Sequence, residues 1–257
     1  MKRLPSAVVS LGAALALLPS VAVAQTPTPS YFVIHQEAAK PSMIKEYEAA
    51  SKEFVALVKA NKAKMPHFSF SALASPDFIY TFAAPIPNFA GVDSITADFG
   101  ALAQAAGPSF ADLNKRSGAA TEYIRESVVQ FAPELSYTPA EPRIAANAAR
   151  YFHYAYYYVM PGREADAEAV GADYVKLFKT RGVKSGYNVY KTVMGPEMPL
   201  YVVSVGALDA ADYHAEDARV AALLGAEMQA LGARLAAFTR RVEMREAVLR
   251  PDLSVPR

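Results

Sequence analysis

The stretch RYFHYAYYYVMPG, residues 150–162, decides how the rest of the chain is read. Tyrosines and phenylalanines surround a single histidine, His153, and Pro161-Gly162 closes the run. Aromatic side chains at this density favour an extended strand packed on both faces. The Pro-Gly pair stops that strand and launches a helix. The same opening stands 120 residues earlier as Tyr31-Phe32-Val33-Ile34-His35, with Pro41 in the place of Pro161.

Working outward, the repetition extends to the middle and the end of each half. Val55-Ala56-Leu57-Val58-Lys59 matches Val175-Lys176-Leu177-Phe178-Lys179, and Pro133-Glu134-Leu135-Ser136 matches Pro251-Asp252-Leu253-Ser254. Anchors recurring in order point to a duplicated unit. Within each unit the hydrophobic period changes in one sequence. A strand over 31–37 or 151–159 leads to an amphipathic helix over 42–60 or 163–179. Two strands follow, over 67–74 and 78–84 or over 187–194 and 200–205, with proline-bearing turns between them. An alanine-rich helical region comes next, nearly unbroken over 209–237 but split around Pro108 in the first half. Last strands over 121–131 and 238–249 close the units. The order βαββαβ is the ferredoxin-like split βαβ arrangement. The expected class is therefore α+β, with ferredoxin-like units at 31–138 and 150–257 joined by a linker at 139–149.

Such a unit covers one sheet face with its helices and leaves the other open, so two units can pair open faces into a pseudo-twofold α/β barrel. At this point the chain resembles the dimeric α/β-barrel superfamily. The segment Val159-Met160-Pro161-Gly162-Arg163-Glu164-Ala165 is similar to the opening of NIPSNAP-type and antibiotic-biosynthesis-monooxygenase-type domains. The resemblance covers almost the whole chain from Tyr31 onward. It implies a cavity without implying one reaction, because that superfamily spans cofactor-free monooxygenases, haem enzymes, isomerases and plain binders.

The N-terminus reads as an export signal. Lys2 and Arg3 precede an apolar run, and Ala22-Val23-Ala24 offers small residues for cleavage before Gln25. Residues 1–24 are thus expected to be a signal peptide, 25–30 a linker, and the mature chain periplasmic or secreted. The apolar run is shorter than the roughly 20 residues a membrane span needs. Without Lys2 and Arg3, 24 of the 26 basic residues remain against 25 acidic ones. That balance offers no field for nucleic acid and no attraction to anionic lipid. Cysteine is absent, so burial alone must supply stability.

Alternation along strands sorts candidate residues by face. Polarity assigns Tyr31, Val33, His35 and Glu37, with Tyr151, His153, Ala155 and Tyr157, to the space between the halves; Phe32, Ile34 and Phe152 are assigned to the helices. His67, Tyr187, Arg125, Arg241, Glu243 and Arg245 join the polar set. Such a lining suits a small anionic or aromatic organic ligand, held by arginine forks and tyrosine rings. In an enzymatic version His153 or His35 is the general base, and Arg125, Arg241 and Arg245 hold developing negative charge. Binding of such a molecule is the leading expectation; the alternative is a cofactor-free oxygenase or isomerase, or a haem protein, using the same cavity, and the second alternative is a non-catalytic interaction scaffold. His214, beside acidic residues at a helix start, raises metal or axial haem ligation. The helix dipole alone explains those acids, and no second histidine stands at zinc-like spacing, so neither metal nor cofactor is expected. Tyr154 to Tyr158 alternatively form a contact between halves, or between subunits of a homo-oligomer.

Overall fold

The computed structural model describes residues 31–256; the expected signal peptide and the linker to position 30 lie outside the described residues. Among these residues eight strands and five α-helices form. The first half comprises β1 (Tyr31–Ala39), α1 (Ile44–Ala60), β2 (Ser71–Ala74), β3 (Ile79–Ile86), α2 (Ala90–Ala106), α3 (Pro108–Ala120) and β4 (Thr121–Phe131). The second comprises β5 (Tyr151–Val159), α4 (Glu164–Thr180), β6 (Asn188–Met194), β7 (Leu200–Ala207), α5 (Ala210–Ala236) and β8 (Thr239–Leu249). All strands join one closed antiparallel barrel in the order β1-β3-β2-β8-β5-β7-β6-β4, with helices on its outside.

Two expectations are corrected. The helix over 209–237 is not nearly unbroken: Gly225 interrupts it at φ 49° and ψ −129°. Gly107, between α2 and α3, has φ 52° and ψ −126°. The two breaks therefore share one backbone conformation, open to glycine because it lacks a Cβ. Secondly, β2 starts at Ser71 rather than at position 67. The His67 amide donates to buried Asp98 on α2 at 2.8 Å, and is thereby unavailable to a strand ladder.

The matching Pro-x-Leu-Ser phrases hold the barrel closed. Ser136 accepts the Val189 amide at 2.8 Å and donates to the Ala132 carbonyl at 2.7 Å. Ser254 accepts the Ala72 amide at 2.9 Å and donates to the Arg250 carbonyl at 2.7 Å. Each phrase follows the last strand of one half and clasps the second strand of the other.

Packing outside the barrel is unequal. Against the first-half strands, Phe54 stacks on Phe99 at 5.9 Å and Phe68 meets Phe99 at 4.6 Å. Tyr47, Val58 and Leu102 are fully buried in one continuous core. In the second half the core separates into two smaller clusters. A cavity of about 450 Å³ lies there, between the sheet and helices α4 and α5.

Candidate functional site

Register determines which side chains meet. Facing residues in an antiparallel pair point to the same side of the sheet. Gln36 of β1 stands opposite Arg125 of β4, and Tyr154 of β5 opposite Arg245 of β8. Even positions of β1 and β5 therefore share a face with odd positions of β4 and β8. That face is the lumen, a cavity of about 540 Å³ whose wall includes Phe32, Gln36, Phe152, Tyr154 and Tyr156. The expectation for β1, β5 and β6 is thus reversed: His35, Glu37, His153, Tyr157 and Tyr187 lie on the outside. Polarity misled because phenols and phenyl rings wall much of the lumen, whereas His35 and Glu37 pair with one another and with Glu126 and Tyr47, and His153, Tyr157 and Tyr187 border a second cavity under the helices.

Three of those outward residues, His153, Tyr157 and Tyr187, come together on the wall of the second-half cavity. Strand β5 presents His153 and Tyr157 on one face, and the turn before β6 brings in Tyr187. The His153 ring stacks on Tyr213 of α5, centroids 4.6 Å apart and planes 15° from parallel. It has no hydrogen-bond partner among the described residues. Burial lowers its pKa below the ordinary imidazole value, opposed in part by the charges of Glu246 and Asp217. The imidazole is consequently neutral at neutral pH. Burial raises the pKa of Tyr187, and its hydroxyl is enclosed without a hydrogen-bond partner among the described residues. Tyr174, on α4, is pushed up to about 12 by burial. A neutral base, protonated phenols and an apolar wall suit a flat aromatic guest with an ionisable proton.

The polar edge of this cavity is occupied by its own pairs. Arg143, from the linker, donates to Asp212 at 2.5 and 3.0 Å. Ser185 bonds Glu216, which also takes Arg219 at 2.7 and 2.8 Å. Sequence reasoning missed Arg143, Tyr174 and Tyr213. A linker residue and helix positions on opposite sides of a void carry no common sequence signal.

His35 is committed elsewhere. Its Nε2 faces Glu37 and its Nδ1 faces Glu126, each at 2.9 Å. Tyr47 donates to the second Glu37 oxygen at 2.5 Å. Burial alone would lower the His35 pKa, but the two carboxylate bonds outweigh it and raise the value. For Glu37, burial pulls upward, and the bonds from His35 and Tyr47 bring it below its ordinary value. A charge-paired imidazolium of this kind is a poor base. Among the arginines, Arg125 and Arg245 line the lumen. Arg241 sits by the start of β8, bonded to Glu197 at 2.8 Å and lying over the Tyr158 ring at 3.8 Å.

Among the described residues no group of three or more histidines, aspartates or glutamates is placed to hold a metal ion. His214, the candidate haem ligand of the sequence, is not placed for that role either. His214 is 64% exposed, with Nε2 3.7 Å from Glu246, and is not on the cavity wall. The imidazole that is on the wall, His153, is stacked through its face on Tyr213, which leaves its in-plane ring nitrogens uncovered by that contact. No described helix is long and apolar enough to cross a membrane.

No protein-family model matches the chain, and no curated protein matches it. Solved structures do share its fold. An anthrone oxidase-like protein superposes with a TM-score of 0.57 at 14% identity, covering 87% of this chain and 92% of the other. A monooxygenase-like protein from Lactobacillus acidophilus NCFM gives 0.53 at 10% identity, covering 89% and 97%. A mutant chlorite dismutase from Candidatus Nitrospira defluvii gives 0.52 at 9% identity, covering 88% and 94%. At these identities the likeness is one of fold, the α+β barrel with ferredoxin-like elements.

Proposed function

We propose that the protein binds a small aromatic organic molecule in the cavity between the second-half sheet and helices α4 and α5. The observation that carries this reading is the unequal packing of the two halves. Phe54, Phe68, Phe70 and Phe99 fill the first-half space, whereas about 450 Å³ is left open in the second among tyrosine rings and one imidazole. Walls around a void lose dispersion contacts, so a guest that restores them is bound favourably. The volume falls within the range of ligand pockets, about 300–1,000 Å³. This moves the ligand from the space between the halves to a space within one of them.

The same reading takes 31–138 and 150–257 as tandem ferredoxin-like units about a pseudo-twofold axis along the barrel. The paired glycine breaks and paired serine clasps support it. On the pattern of residues 1–24, the chain is exported to the periplasm or beyond and acts as a soluble protein, alone or as a homo-oligomer.

A second reading, a cofactor-free oxygenase, is favoured by His153 specifically. A neutral imidazole can take a proton from an activated C–H group, with Glu246 and Asp217 stabilising the imidazolium, while the Tyr187 hydroxyl donates to the oxyanion that forms. The substrate anion then reduces dioxygen. A methylene between aromatic rings loses two hydrogens and gains one oxygen atom, and the other oxygen atom leaves as water.

Anthrone, a tricyclic ketone with such a methylene, tests both. The wild type should retain it in equilibrium dialysis, and Val203→Phe, which fills the cavity, should not; equal retention would sink the binding reading. Oxygen consumption by the wild type, reduced about 10²–10⁴-fold in His153→Ala with binding kept, supports the oxygenase. Binding without oxygen uptake leaves the protein a binder.

A further inference from the structure

The barrel lumen is separate from the cavity under α4 and α5, and its lining is of a different kind. Strands β4 and β8 stand four places apart in the ring of eight, so Arg125 and Arg245 face one another across the lumen. Both belong to the same end of the barrel. Ala38 pairs with Tyr123 and with Ile79, and Tyr158 pairs with Arg241 and with Leu200. The starts of β4 and β8 therefore lie beside the β2–β3 and β6–β7 turns. Arg125 lies over the Tyr123 ring at 4.8 Å and has no carboxylate partner among the described residues. Arg245 shares Glu243 with Arg241, at 3.2 and 3.0 Å respectively. This mouth consequently carries guanidinium donors that its own carboxylates do not exhaust.

Inward from the arginines the wall becomes aromatic. Phe152 and Tyr154 stack at 6.3 Å and 20°, and Phe32 meets Tyr190 edge-on at 5.7 Å. On the same wall, beside the β6–β7 turn, is Thr192, 8% exposed, whose hydroxyl is enclosed without a hydrogen-bond partner among the described residues. A buried hydroxyl left unpaired is costly and rare in a folded protein. Thr192 faces Val129 of β4, four residues along the strand from Arg125, or roughly 13 Å at ~3.3 Å per residue. That is the span of a two-ring body bearing a polar group at each end.

We propose that the barrel lumen is a second binding site, taking a small aromatic carboxylate whose head lies between Arg125 and Arg245 and whose hydroxyl-bearing far end reaches Thr192. The arginines supply charge-assisted hydrogen bonds to the carboxylate, and the phenyl and phenol rings enclose the body. The proposal is independent of the ligand in the second-half cavity.

The test is a fluorescence titration with 6-hydroxy-2-naphthoate, read without tryptophan background because the chain has none. The wild type should bind it in the lumen. The double variant Arg125→Gln/Arg245→Gln should bind about tenfold or more weakly, and Thr192→Val should lose the preference for this probe over 2-naphthoate. Ala83→Phe, which fills the lumen from β3, should abolish binding even if the arginine variant folds poorly. Val203→Phe, which fills the other cavity, should leave it unchanged. Absence of wild-type binding, undiminished affinity in both the arginine variant and Ala83→Phe, or loss in Val203→Phe alone would overturn the proposal.

Discussion

His35 and His153 carry protonation biases of opposite sign, and each bias sets a pH dependence that can be measured. Burial holds His153 below the ordinary imidazole value of 6.5. If it is the base, kcat/KM should rise along an acid limb with a midpoint below 6.5 and stay level through neutrality. The unfolded chain binds the proton more readily than the native state, so this residue costs stability as the pH falls through 6.5. His153→Ala should remove that part of the acid slope in thermal melts. His35 is raised by Glu37 and Glu126 against the effect of burial. Its contribution is fully present below 6.5 and is lost as the pH climbs through its raised folded value. His35→Gln should accordingly show its largest Tm deficit at about pH 6, shrinking toward alkaline pH; a deficit independent of pH would contradict the ion-pair account. Both histidines are evident in the sequence as candidates. Their roles were not, because a ring's role depends on Glu126, Tyr213 and Glu246, which approach from other elements.

At the scale of elements, the two helix breaks share one backbone conformation. Gly107 and Gly225 hold nearly identical conformations, with open space where a Cβ would stand. Gly225→Ala should therefore cost about 1–3 kcal/mol through backbone strain alone, read as a lower urea midpoint at unchanged m-value. Pro108 advertises the first break, whereas the second is marked by a lone glycine in an alanine-rich run, which reads as a tolerated helix residue. The serine clasps make a second prediction at this scale. Ser136 is buried, and removing its hydroxyl leaves the Val189 amide unpaired, so Ser136→Ala should lose about 1–3 kcal/mol in the same measurement. Val203→Phe should act in the opposite sense, holding or raising Tm while removing the cavity, because it gives the unpacked walls new contacts.

Across the whole molecule, the barrel closes through seams of unequal length. Strands β4 and β6 share four register pairs, whereas β2 and β8 share two, Leu73 with Leu249 and Ala74 with Val248. The shorter seam is reinforced by the C-terminal segment. Val255 exchanges backbone hydrogen bonds with Phe70 at 2.9 and 3.0 Å, and Arg250 reaches Glu48 of α1 at 2.5 Å. Truncation after Leu249 should open this seam, with hydrogen exchange rising first in β2 and β8 and later in β5. The sequence by itself determined the order of elements, the turns and the recurrence of the closing phrases, since periodicity, prolines and short matched motifs are local properties of a chain. Which strand face looks into the lumen, and in which half a cavity remains, only the tertiary structure decided. The first depends on a register between Gln36 and Arg125, distant in sequence. The second depends on whether side chains contributed by separate helices and strands add up to fill the space between them, which no single segment encodes.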